Sequence, residues 1–226
     1  MKRTLFIALA LAAHTAAAAA AQTLADYDYD NLSFRGIGFD VGYIWPNKVD
    51  PTPAYSLKLD LGFLGPAVRI MPSITYWRSE LKRGELERFA DRLEQLPSLR
   101  DQNITIDPSE LGAVKWNDVS LAVDAQMVWT APFDVYTYVG AGLGLHVLRG
   151  SGDAINDTFV EDLLDATTAG VSLSAGLELE PIRVLRLYGE ARYTAVTDVS
   201  YPGIRFGAAL MLPSATTATA ASAGDR

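Results

Sequence analysis

From Phe34 onward the chain consists largely of runs in which apolar residues alternate singly with polar or small ones, the period of a strand with two unlike faces. In "FRGIGFDVGYIWP", Ile37, Phe39, Val41, Tyr43 and Trp45 share one face, while Gly36, Gly38, Asp40 and Gly42 share the other. "YSLKLDLGF" sets Tyr55, Leu57, Leu59, Leu61 and Phe63 against Ser56, Lys58, Asp60 and Gly62. Between Ala67 and Arg78, Val68, Ile70, Ile74 and Tyr76 oppose Arg69, Ser73 and Thr75. Pro72 lacks a ladder N–H, so a bulge or an edge-like distortion is expected there.

Five further runs follow. Asp118–Thr130 turns Val119, Leu121, Val123 and Trp129 away from Asp118, Ser120, Asp124 and Gln126. "YVGAGLGLHVLRG" opposes Val139, Leu143 and Leu145 to Tyr138, Gly140, Gly142, Gly144 and His146. "GVSLSAGLELE" opposes Leu173 and Leu177 to Ser172, Ser174, Glu178 and Glu180, and "VLRLYGEARYTA" opposes Leu187 and Tyr193 to Arg186, Tyr188, Glu190 and Arg192. "GIRFGAALML" sets Ile204, Phe206 and Leu210 against Arg205, Gly207 and Ala209. Short connections ("LGP", "APFD", "EPI") alternate with longer ones ("NKVDPTP", 79–117, 151–169, "VTDVSYP"). Eight strands with short turns at one rim and long loops at the other predict an all-β, eight-stranded antiparallel up-and-down barrel.

The three alternate glycines of the fifth run invite comparison with a phosphate-cradling loop. That motif needs a sharp turn after a strand and a helix opening behind the glycines. Here alternation simply continues through Val147, so the glycines read as part of a strand, where they make room for bulky neighbours inside a narrow barrel.

Two chain ends lie outside the barrel pattern. "MKRTLFIALALAAHTAAAAAAQ" has a basic start, an apolar centre and a run of small residues, the form of a secretory signal peptide cleaved after Ala21. The expected organisation is signal peptide 1–21, periplasmic segment 22–33, barrel 34–212 and a flexible tail 213–226. Cleavage removes Lys2 and Arg3, leaving 19 − 2 = 17 basic residues against 27 acidic, a net charge of 17 − 27 = −10. That balance argues against nucleic-acid binding. The sequence has no cysteine, hence no lipoprotein anchor, disulfide or thiolate metal site. After the signal no apolar run is long enough for a spanning helix.

The direction of the apolar face separates two readings. A soluble lipocalin-like barrel turns it inward around an apolar ligand, and a membrane barrel turns it toward lipid. The polar face is rich in glycine and serine, which suits a narrow lumen. Tyr43, Trp45, Tyr76, Trp116, Trp129 and Tyr193 lie near strand ends, as interfacial girdles require. These features favour a transmembrane barrel. The signal peptide, the eight strands, "YVGAGLG" after a proline-containing short turn and the late "YGEARY" resemble the small eight-stranded outer-membrane proteins of Gram-negative bacteria, the OmpA-barrel, OmpX and OmpW-like group. The resemblance implies short periplasmic turns, long extracellular loops, a monomer, surroundings of outer-membrane lipid and lipopolysaccharide, and assembly by the barrel-assembly machinery. Members usually end on an aromatic residue; this last strand ends "GAALML" and a tail follows, which moves any aromatic assembly signal inward to Phe206.

With the polar face inward, Lys58, Arg69, Arg186, Arg192 and Arg205 share the lumen with Asp40, Asp60, Asp124, Glu178 and Glu190, five charges of each sign. A salt-bridged plug is expected, because buried charge is costly unless paired and eight strands leave only room for side chains. His146 also faces inward near the outer rim. A lipid A-modifying barrel enzyme of the deacylase type would show a His-x-Ser pair, and here Leu148 stands in the serine's place. "GELERFADRLEQLP" carries Leu86, Phe89, Leu93 and Leu96 at helical spacing before Pro97, predicting a short amphipathic loop helix. Asp153, Asp157, Glu161, Asp162 and Asp165 make a second loop acidic without calcium-loop spacing. The expected function is a non-enzymatic structural or surface-interaction barrel, with no cofactor or metal and at most passage of small solutes. The barrel enzyme and the soluble binder stand as alternatives.

Overall fold

The computed structural model describes residues 32–65, 67–95, 112–152, 165–197 and 199–212. Eight antiparallel strands form a closed barrel in sequence order: β1 (Leu32–Ile44), β2 (Thr52–Gly62), β3 (Val68–Glu80), β4 (Lys115–Ala131), β5 (Val135–Ser151), β6 (Ala166–Ile182), β7 (Leu185–Val196) and β8 (Ser200–Met211). A helix, α1 (Arg83–Glu94), lies in the β3–β4 connection. It ends before Leu96, which lies outside the described residues together with Pro97, residues 1–21 of the expected signal peptide, residues 22–31, residues 213–226 and the loop acids Asp153, Asp157, Glu161 and Asp162. The wall begins at Leu32, inside the segment expected to precede it.

The registers define the barrel's tilt. An outward row runs from Trp129 through Thr137, Leu177, Gly189, Phe206, Val41, Tyr55 and Tyr76, then returns to β4 at Val119, a stagger of 129 − 119 = 10 residues. A stagger of this kind obliges the strands to lean away from the barrel axis, so partners across the lumen come from different heights along their strands. At Pro72 the ladder to β4 runs without a register shift, whereas the ladder to β2 stops at Lys58–Ser73. Pairing on that side resumes at Phe63–Arg69 with the register shifted by one residue, 63 − 58 = 5 steps against 73 − 69 = 4, so the expected distortion is a bulge whose extra residue lies on the β2 side, opposite the proline segment.

Alternation along the strands becomes a sharp division of burial. Leu143 is 71% exposed and Phe206 68%, while Lys58 and Arg69 on the opposite face are each 2% exposed. Apolar residues face outward and charge faces inward, the arrangement that lipid stabilises and water does not. The soluble-binder alternative, which needs the reverse, is overturned.

The β2–β3, β4–β5 and β6–β7 turns and both strand-bearing chain ends share one rim, the periplasmic one. At the opposite rim the loops interlock. Val49 bridges to Leu81, and Lys82 Nζ donates to the carbonyls of Pro46 (2.7 Å) and Asn47 (3.1 Å). Asn47 exchanges hydrogen bonds with Ser200. The β7–β8 connection is shorter than "VTDVSYP" suggests: β7 extends to Val196 and β8 starts at Ser200, because Val196 and Tyr201 both have apolar neighbours inside the barrel to reach.

Candidate functional site

The lumen is where the chemistry-bearing side chains converge, and it is layered. Near the periplasmic mouth Arg69 lies against Glu178, bonded by both terminal nitrogens, and its Nε and Nη2 donate to Gln126 Oε1 at 3.1 and 2.6 Å. Asp60 lies 3.9 Å from Arg69 and 3.8 Å from Arg186. Arg186 also donates to Glu180 at 3.2 Å. This group spans β2, β3, β4, β6 and β7 and is held by the fork of arginine, which can bond two acceptors in one plane.

The next layer is centred on Glu190. Lys58 Nζ lies 3.1 Å from both Asp40 and Glu190, Arg192 Nε donates to Glu190 at 2.9 Å, and Tyr138 Oη donates to the same carboxylate at 2.9 Å. Arg192 then spans the lumen to Asp124, with bonds of 3.1 and 2.7 Å. Tyr188 Oη donates to Asp40 at 3.0 Å. Arg205 is bonded chiefly to hydroxyls, donating to Ser56 Oγ at 2.6 Å and Thr75 Oγ1 at 3.3 Å, with Asp40 3.9 Å away.

All ten charged residues named from the sequence thus face the lumen, and nine are buried; Arg186 is partly exposed at the periplasmic mouth. The tally of five and five omits two carboxylates of the same parity, Glu180 and Asp118. With them the described lumen holds seven carboxylates (Asp40, Asp60, Asp118, Asp124, Glu178, Glu180, Glu190) against five cations (Lys58, Arg69, Arg186, Arg192, Arg205).

Asp118 is fully buried and its partner is His146, whose Nδ1 lies 2.7 Å from Asp118 Oδ2. Sequence reasoning placed both on the inward face without pairing them; the antiparallel register, with Ser120 opposite His146, brings them together. The imidazole lies over two glycines: a Cβ at Gly170 would stand 2.7 Å from His146 Nε2, and one at Gly144 3.4 Å from it. The other two glycines serve the same end. A Cβ on Gly142 would collide with Asp124 Oδ1 and lie 2.7 Å from Ser172 Oγ, and one on Gly140 would lie 2.9 Å from both Gln126 Cγ and Ser174 Oγ. Ser172 and Asp124, which flank Gly142, hydrogen-bond across it at 3.1 Å.

Above His146 the lumen is apolar, a feature the polar-face reading did not contain. Ile44, Val49, Ala54, Trp77, Trp116, Leu148, Val196, Val199 and Tyr201 form one buried cluster that closes the outer mouth. Trp77 and Tyr201 meet edge to face, their ring centroids 5.8 Å apart. At this height the strands rise past the lipid band, and the barrel interior becomes an ordinary water-excluded core.

Trp116 is the one girdle residue that does not belong to the girdle. It is 7% exposed and sits in the apolar plug, with the Lys48 ammonium 5.9 Å from its ring centroid. Its parity is that of Asp118 and Ser120, so strand period outweighs position near a strand end. Tyr43, Trp45, Tyr76, Trp129 and Tyr193 face outward with 42–48% exposure.

Two small cavities of about 20 Å³ interrupt the lumen, one lined by residues including Asp60, Arg69 and Met211, the other by residues including Ser120, His146 and Arg205. Each has room for about one water molecule. Among the described residues no group of three or more His, Cys, Asp or Glu side chains could hold a metal ion.

The barrel is similar to solved structures. Neisserial surface protein A is 13% identical, with 79% of this chain and 97% of that one covered and a TM-score of 0.51. Ail of Yersinia pestis, in complex with the heparin analogue sucrose octasulfate, is 13% identical over 79% and 97% of the two chains, with a TM-score of 0.47. The N-terminal barrel domain of Pseudomonas aeruginosa OprF is 12% identical over 77% and 97%, with a TM-score of 0.42. No curated protein matches the chain. The first of these likenesses supports the fold and nothing finer. A family model matches residues 6–211, nearly the whole chain, and with the closed barrel and its outward apolar face this means that the chain belongs to the outer membrane protein beta-barrel domain family.

Proposed function

We propose that this protein is a closed structural barrel of the outer membrane, without enzymatic activity, that carries an interlocked loop layer on the cell surface. The observation that carries this reading is the filled lumen: an ion-paired lower part beneath a dry apolar plug. Ions crossing it would have to displace arginines held by two or three partners and then enter a space lined by Trp77, Trp116 and Leu148. The decisive measurement is conductance of the purified full chain in planar bilayers. Silence is expected, and reproducible single-channel steps would replace this reading with a solute conduit.

The barrel-enzyme alternative draws on one observation, the His146–Asp118 pair, which has the geometry of a base and its orienting carboxylate. Both residues are buried beneath the plug, with His146 3% exposed. Lipid substrates approach from the outside of the wall and do not reach them. The pair reads as a structural tie, and the lipid A mass spectrum of cells overproducing the protein is expected to match that of cells without it.

A further inference from the structure

We propose that the outer rim of β3, β4 and β5 grips the phosphate of an outer-leaflet lipid headgroup, with Arg78 and Arg149 as its two arms. Among the described residues, outward-facing strand positions carry five charges. Arg35 lies at the periplasmic end; Arg78, Glu80, Lys115 and Arg149 all lie at the outer rim of three adjacent strands. Outward positions near the same rim on the other strands are uncharged: Trp45, Pro53, Thr167, Ala195 and Pro202.

The register makes this cluster a site. Arg78 pairs with Asn117 and Asn117 with Arg149, so the two arginines flank one asparagine in a single row. The outward row directly beneath is Tyr76, Val119 and Val147, the top of the apolar band. Strand spacing sets the two arginine backbones about 10 Å apart, within reach of one anion between them. Glu80 is occupied by Lys115 at 3.7 Å. Arg78 makes one side-chain bond, 3.2 Å to Ser151 Oγ, and the Arg149 guanidinium has no partner among the described residues. Asn117 donates to the Arg149 carbonyl at 3.2 Å and leaves both guanidinium groups available.

Two forked cations on the lipid side of a wall, one step above its aromatic and apolar belt, lie at the level of lipid headgroups. Guanidinium matches phosphate oxygens in pairs and is more weakly hydrated than an ammonium, so it binds phosphate in a partly dried layer. Location favours a lipid phosphate over a soluble one, because a soluble anion has no reason to meet the wall side of a strand at the edge of the hydrocarbon. The inference rests on the wall facing lipid, and not on the lumen being closed; channel activity would overturn the latter and leave this site standing.

The test compares the full chain refolded in phosphatidylcholine vesicles containing lipid A with both phosphates, and in matched vesicles containing the same lipid A dephosphorylated. The unfolding temperature is expected to be higher with the phosphates present, and added salt is expected to narrow the gap. Arg78→Gln with Arg149→Gln removes the gap, whereas Arg35→Gln retains it. Arg78→Lys with Arg149→Lys keeps the charges without the forks and retains part of the gap; it is also the variant to use if the glutamine pair does not insert. No gap in the wild type, or a full gap in the glutamine pair, overturns the proposal. Equal stabilisation by inorganic phosphate added to phosphatidylcholine vesicles overturns the lipid source and assigns the rim to a soluble anion.

Discussion

His146 Nδ1 lies 2.7 Å from Asp118 Oδ2, tying β5 to β4 where the polar lumen gives way to the apolar plug. Asp118 sits in register between Trp77 and Leu148, both fully buried, and is the carboxylate of that layer. His146 reaches it from the row below, where Thr75, Ser120 and Thr168 are its neighbours in register. An apolar seal thus encloses one charged group, and a histidine bedded on glycines holds it.

Replacing His146 with Leu should therefore cost about 1 to 3 kcal/mol, the penalty of leaving a buried acceptor without its partner. Urea unfolding in detergent micelles measures it. Asp118→Leu with His146→Leu, which removes both polar groups, should recover most of that loss; a double variant no better than the single one would mean that the imidazole serves by its shape alone.

Arg192 joins Glu190 to Asp124 across the lumen, with bonds of 2.9 and 2.7 Å. Arg192→Met should destabilise by about 3 to 5 kcal/mol, because two buried carboxylates lose a shared counter-charge. Adding Asp124→Asn should restore part of it, since Asn keeps the Ser172 contact and removes the charge while Lys58 still serves Glu190. Heat-modified gel migration over a temperature series would rank the three proteins.

Gly142 tests the packing of the lumen. Even a methyl group there meets Asp124, so Gly142→Leu should overfill the interior and lower stability by about 1 to 3 kcal/mol, while Leu143→Ile on the lipid face should change little. Equal effects on the two faces would contradict the inside-outside division.

At the periplasmic β4–β5 turn Phe133 has φ 68° and is 95% exposed. A non-glycine residue in this left-handed region costs roughly 1 kcal/mol or more. Phe133→Gly should stabilise the barrel in detergent by up to about 1 kcal/mol. In a bilayer the gain should shrink, because a phenyl ring at the interface anchors the turn to the headgroup layer.

Trp77, 0% exposed, is the largest fully buried side chain of the plug, and Trp77→Ala should cost about 3 to 5 kcal/mol. Bilayer conductance of this variant is expected to remain absent, because the ion-paired layers below still fill the lumen. Steady current would mean that the plug alone seals the barrel.

The sequence by itself determined the strand number, the alternation of short and long connections and the inward or outward sense of nearly every side chain. A strand's period is two, so the sense of a residue is a local property that any stretch of chain reveals; Trp116 obeys that period and turns inward although it lies near a strand end. The closing stagger of ten residues is not local. It decides that Arg69 on β3 meets Glu178 on β6, 109 residues away, and that Arg192 meets Asp124 and not another acid of the same face. It also decides that Ile44, Trp77, Leu148 and Val196, inward residues at the ends of separate strands, meet as one dry plug. These pairings depend on the tilt with which eight strands close, and only the closed barrel brings residues so far apart in the chain to a common height.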